Sequence, residues 1–283
     1  MLKKLIKYDF RDQGKSLWPL HLALLGGSVL AGISLQYFMR SMQAMTEETA
    51  GMNAMQTITM IVMILFLSCL MASSIVTLVF IGRQYYRNCF CDEGYLTFTL
   101  PVTPSQVLLS KLITGTIWTI INFVAVLLCC VIFLWIGFSG FAEIQESFAK
   151  FSAEIAAEFA KVGFSVNLPL LVVKYLLLTV ISAASGVVML HFVITMGSQI
   201  AKKHKILCAV GLYLLLTFAL SCVSSLMSSF MTIRMTNMTE FVFDEFIRVY
   251  NIALLMGTGL SVAVGGLLFY FTDRTLSNRL NLE

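Results

Sequence analysis

The chain has 283 residues, 58% of them hydrophobic and only 12% charged, with a formal net charge of +4. Soluble globular proteins carry ~25% charged residues, so a water-soluble core cannot absorb this much apolar surface. Long uncharged runs spaced along the whole chain predict a single bundle of membrane-spanning helices instead.

The first sixteen residues, 1–16, place Leu2, Leu5, Ile6 and Phe10 on one helical face, with Lys3, Lys4, Lys7 and Arg11 around the rest. That pattern predicts an amphipathic interface helix whose lysines meet anionic lipid headgroups, at ~1 kcal/mol per basic residue. A six-helix transmembrane domain, 17–283, is expected to follow. Its first run, 17–39, has an apolar core too long for a secretory signal and no small-residue cleavage site after it, so it reads as a retained helix that sets topology. Five more runs reach spanning length, at 57–82, 107–137, 168–198, 206–230 and 250–272. The 4 prolines avoid the middle of every run, so each span is expected to keep its backbone hydrogen bonds internal. The expected fold class is all-α, polytopic, with six transmembrane helices.

Charge sets the expected orientation. With the N-terminus inside, thirteen of the 19 Lys and Arg fall on the cytoplasmic side, which predicts a multi-pass protein of the cell membrane with both termini cytoplasmic. Of the 7 cysteines, Cys69, Cys129, Cys130 and Cys222 lie in spans, Cys208 at the start of one, and Cys89 and Cys91 in a loop where thiols stay reduced.

The loop from 83 to 111 is the most informative soluble segment. Thr103, Pro104 and Gln106 form a helix-start signature: a threonine cap, proline at the first helical position and glutamine at the third. The third helix is thus predicted to run from about Pro104 through Gly137, about 50 Å at 1.5 Å per residue. That exceeds a ~30 Å hydrocarbon core, so its first turns project into the cytoplasm.

Farther on, 138–167 carries Phe141, Ile144, Phe148, Phe151, Ile155, Phe159 and Val162 at steps of three and four. This predicts an amphipathic extracellular segment. Its net acidity disfavours anionic lipid as its support, and a lid over the bundle is expected. The loop 231–249 reads as a short helix or a partly re-entrant segment. Small residues recur every four positions, as in Ser28 and Gly32, Ser182 and Gly186, Ser221, Ser225 and Ser229, and Gly257, Ser261 and Gly265. Close helix packing is the expected reason, with a serine-lined polar path second.

Catalytic and cofactor motifs are missing. His21, His191 and His204 lack the spacing of a zinc protease, and each is expected to be a satisfied histidine near the interface. No cysteine pair has C-x-x-C spacing. Gly14, Lys15 and Ser16 look like the end of a phosphate-binding loop, but position 9, where the first glycine belongs, is Asp9. The chain is therefore expected not to be an enzyme and to bind no cofactor or metal. Lys174 is the one clear charge within a span, expected to snorkel outward.

The order Glu93, Gly94, Leu100, Pro101, the helix start after Thr103, and Lys111 resembles the permease subunits of type-2 ABC transporters. The large acidic loop after the third span departs from the compact form of that family. The resemblance implies a coupling region of Asp92, Glu93, Gly94, Tyr95, Pro101, Thr103, Pro104 and Gln106, seated on a separate cytosolic ABC ATPase subunit that binds the ATP. It also implies a homodimer or a heterodimer with a related permease, membrane lipid as surroundings and no nucleic acid partner. The expected function is then the membrane subunit of an ATP-driven exporter moving an amphipathic or hydrophobic cargo, such as a lipid, drug or antimicrobial peptide. The alternative is a non-transporting membrane scaffold or immunity protein.

Overall fold

The computed structural model describes residues 2–43, 54–91, 94, 99, 101–161, 168–201, 203–236 and 243–278. Seven helices appear among them: α1 (Leu2–Gln43), α2 (Ala54–Phe90), α3 (Pro104–Phe138), α4 (Ala142–Lys161), α5 (Leu168–Ile200), α6 (Lys205–Thr236) and α7 (Phe243–Asn278). All but α4 are long and apolar enough to cross a membrane, which gives the six spans expected.

The helices run longer than the apolar stretches alone indicate. Residues 2–16 and the first span form one helix, α1, which carries Pro19 in its interior. Proline removes one helical hydrogen bond, and α1 accepts it with the ring on an exposed face. Most of the 231–249 loop proves to be the last turns of α6 and the first of α7, while 237–242 lies outside the described residues. The third helix starts at Pro104 as predicted. It ends with Gly140 at φ +99°, where a side chain would be strained, and the Phe141 N–H closes the turn onto the Phe138 carbonyl at 3.3 Å.

The chain groups into two compact units. One comprises Met1–Phe10, Phe80–Ile117 and Val162–Glu283; the other comprises Arg11–Val79 and Trp118–Lys161. In the second unit the core is Leu24, Ala31, Phe66, Leu70 and Cys129, with the rings of Phe66 and Phe133 at 5.3 Å. Here α1 and α3 touch closely, because a Cβ on Gly32 would sit 2.8 Å from the Cβ of Ile136. On α4 the amphipathic pattern is only partly a packed face. Phe141, just before the helix, is buried, but Phe151 is 59% exposed. Residues 162–167 of the segment lie outside the described residues.

In the first unit the core gathers Tyr85, Cys89, Val107, Leu108 and Leu276. Helix α5 packs on both α6 and α7. Its closest approach to α6 is at Gly197, where a Cβ would lie 2.7 Å from the backbone nitrogen of Ala209. Backbone cannot give way as a flexible side chain can, so Gly197→Ala is expected to destabilise the chain by ~1–3 kcal/mol. Gly257→Ala, whose new Cβ would meet nothing within 4 Å, is the matched control. Thermal unfolding of both variants in mild detergent should lower the midpoint for Gly197→Ala alone.

Candidate functional site

The start of α3 is built as its sequence requires. Thr103 Oγ1 accepts the Gln106 N–H at 3.4 Å, and the Thr103 carbonyl accepts the Gln106 and Val107 N–H groups at 2.9 and 3.2 Å. Pro104 opens the helix, where its missing N–H costs nothing. Pro101, Thr103 and Gln106 are exposed, whereas Gly94 is buried and its N–H closes a turn onto the Cys91 carbonyl at 2.7 Å. Asp92, Glu93 and Tyr95 lie outside the described residues.

About two turns along α3, a polar group is buried whose members the sequence does not visibly pair. Lys111 Nζ lies 2.5 Å from Asp9 Oδ1, and the two side chains are 6% and 9% exposed. Ser110 donates its hydroxyl to Asp9 Oδ2 at 2.8 Å, so both carboxylate oxygens are engaged. Asp9 reaches this position because it continues the inward stripe of α1, Leu2, Leu5 and Ile6, with Gln13 one turn on. A carboxylate on an apolar stripe needs a buried cation or hydrogen-bond donors, and α3 supplies both from adjacent residues. Next to them, Val107 and Leu108 are fully buried with Tyr85 and Cys89 of α2 and Leu276 of α7. The first turns of α3 are therefore held by charge on one side and by apolar packing on another.

Tyr85 extends the polar group to α5. Its hydroxyl lies 2.8 Å from Thr195 Oγ1, which itself donates to the His191 carbonyl at 2.8 Å. Threonine has one hydroxyl proton, so the tyrosine must be the donor between them. The Tyr85 ring also stacks on His191, with centroids 4.1 Å apart and an interplanar angle of 25°. His191 departs from the expected satisfied histidine: it is 1% exposed, and neither ring nitrogen has a hydrogen-bond partner. His21, in the other unit, meets the expectation. Its Nδ1 lies 2.6 Å from the Leu17 carbonyl and its Nε2 3.2 Å from Asn122 Oδ1, two acceptors of which a neutral imidazole donates to one.

The remaining candidates resolve simply. Gly14, Lys15 and Ser16 sit in the middle of α1 and form no loop. The cysteines carry free thiols, and no group of three or more His, Cys, Asp or Glu gathers for a metal ion among the described residues. Lys174 does not depend on snorkelling alone, since its Nζ donates to Asn251 Oδ1 at 2.5 Å. Several span serines return their hydroxyls to their own helix, as Ser221 does to Phe218 and Ser229 to Ser225.

These features define an all-α, multi-pass membrane protein with a buried ion pair behind a capped helix start. Comparison with protein-family models, with curated proteins and with solved structures found no match to this chain.

Breaking a buried pair by removing one partner leaves an uncompensated charge and costs about 3–5 kcal/mol. Lys111→Met and Asp9→Asn are each expected to lose stability on this scale, and the double variant to lose less than the sum. A double-variant cycle by thermal unfolding measures the coupling; additive losses would show that the two side chains do not depend on each other.

Proposed function

We propose that this chain is the membrane-spanning permease subunit of an ATP-driven ABC exporter, acting as a dimer with itself or a related permease and powered by a separate cytosolic ATPase. The observation that carries this reading is the start of α3. It is one unbroken helix from Pro104 to Phe138, with an exposed, capped tip and first turns tied down by Asp9 and Lys111. A stiff and anchored tip transmits a push that a flexible loop would absorb. The resemblance at Glu93, Gly94, Leu100, Pro101 and Lys111 supports the same role. The distribution of Lys and Arg supports a cytoplasmic location for both termini and for this tip.

In this mechanism, ATP binding closes the partner ATPases against the region 92–106. The motion enters α3 at Thr103 and Gln106, and the Asp9–Lys111 pair makes the first turns of α1 move with it. Access to a path at the dimer interface then alternates, and the chain contributes no chemistry of its own.

Exposed Phe151 on α4 favours a second reading, a scaffold or immunity protein whose outer helix binds a partner. Cysteines introduced singly at Thr103 and Gln106, after replacement of Cys89 and Cys91, are expected to cross-link to a co-purifying ATPase in native membranes. Leu109→Pro, which breaks α3 within two turns of its cap, is expected to abolish stimulation of that ATPase. A chain that purifies with a partner on α4 and no nucleotide-binding protein sinks the exporter reading.

A further inference from the structure

We infer that the space between α5, α6 and α7 is a binding slot for an anionic amphiphile, with its apolar part along the helices and its acidic head at Lys174. The slot has a volume of about 740 Å³ and is lined by Leu178 to Met189 on α5, Leu220 to Thr232 on α6 and Val249 to Leu268 on α7. Among the described residues no charged side chain lines it. The α7 wall alone extends about 28 Å at 1.5 Å per residue, close to the thickness of a hydrocarbon core. By the same rise the α5 and α6 walls span about 17 and 18 Å, room for the apolar part of an amphiphile.

The slot is open because two positions carry no side chain. A Cβ at Gly186 or at Gly257 would meet nothing within 4 Å. Toward the far end the same pattern closes the gap: a Cβ on Gly265 would lie 3.0 Å from Ser185 Oγ, and that hydroxyl donates to the Ser261 carbonyl at 3.0 Å. The wall hydroxyls do not demand a polar guest. Ser224 donates to the Leu220 carbonyl, Ser228 to Ser225 and Ser261 to Gly257. An apolar chain therefore leaves these protons paired.

The head is selected by charge. Lys174 precedes the lining residue Leu178 by one turn, and its partner Asn251 lies between the lining residues Val249 and Ala253. The amide accepts one hydrogen bond from an ammonium that has three to give, and it carries no charge to balance the cation. Among the described residues Lys174 forms no ion pair. A carboxylate head completes this arrangement, whereas a neutral head leaves the charge uncompensated and a cationic one is repelled.

The slot deepens the cargo class proposed above, and rests on that reading only in calling its occupant a cargo; binding itself needs no ATPase. The test is palmitate titration of the purified chain in phosphatidylcholine nanodiscs, with empty nanodiscs as baseline and no ATPase present. Saturable binding above baseline is expected, weakened about tenfold by Lys174→Gln, with binding of the neutral alcohol hexadecanol unchanged by that variant. Gly257→Leu fills open space, so it should keep the thermal midpoint of the wild type while removing both ligands. The proposal is overturned if palmitate binds Gly257→Leu undiminished, or if Lys174→Gln leaves its affinity unchanged. Saturable palmitate binding by a chain that co-purifies with no ATPase keeps the slot and removes the exporter reading.

Discussion

Hydrocarbon offers no hydrogen-bond partner, and the polar features of this chain answer to that constraint. The backbone resolves it with helices that run past their apolar stretches, so that α2 reaches Phe90 and α3 begins at Pro104. Thr103 cares for donors that the first turn of α3 leaves exposed, and Gly140 lets the far end close on itself. Side chains meet the same demand in three ways. Serines fold their hydroxyls back onto their own helix, Asp9 and Lys111 neutralise each other, and Lys174 finds an amide. His191 alone among the buried ring nitrogens of the described histidines has no such solution, and its ring stacks on Tyr85 instead.

The ion pair has a consequence beyond local neutrality. Desolvating two charges is expensive, and an apolar pair of similar volume would hold α1 to α3 at least as well. What an apolar pair lacks is register. Asp9 engages Lys111 through one oxygen and Ser110 through the other, so a shift of α1 by a single residue would part the carboxylate from both donors. The pair therefore joins the two helices in one discrete arrangement, which is the property a mechanical linkage at the tip of α3 requires.

The sequence carried the architecture well because apolar length and composition are local properties. Six spans, the cap at Thr103 and the extent of α3 were all legible from runs of residues read in order. What escaped depended on contacts between distant segments. Asp9 and Lys111 are 102 positions apart, and in the sequence Asp9 stands out only as the residue where a phosphate-binding loop needs glycine. The available signal was its place one turn after Leu5 and Ile6 on an inward stripe, where an unpaired carboxylate is untenable. Helix ends were misjudged for a related reason. Charged and polar residues at 1–16 and 243–249 break the apolar runs without breaking the helices, because the backbone continues wherever its own hydrogen bonds can.

Small residues show why pattern alone underdetermines use. Gly32, Gly197 and Gly257 look alike in sequence, each in an apolar helix among small neighbours. At Gly32 and Gly197 the facing helix fills the missing volume, against Ile136 and the backbone of Ala209. At Gly257 nothing does, and the deficit opens a cavity rather than a seam. The cavity that Gly257 lines has Ser224 and Ser228 of α6 among its other walls. A seam needs a small residue met by a large one or a backbone, whereas a slot needs a small residue that nothing meets. That distinction is a property of pairs of helices, and it becomes visible only once their register is known.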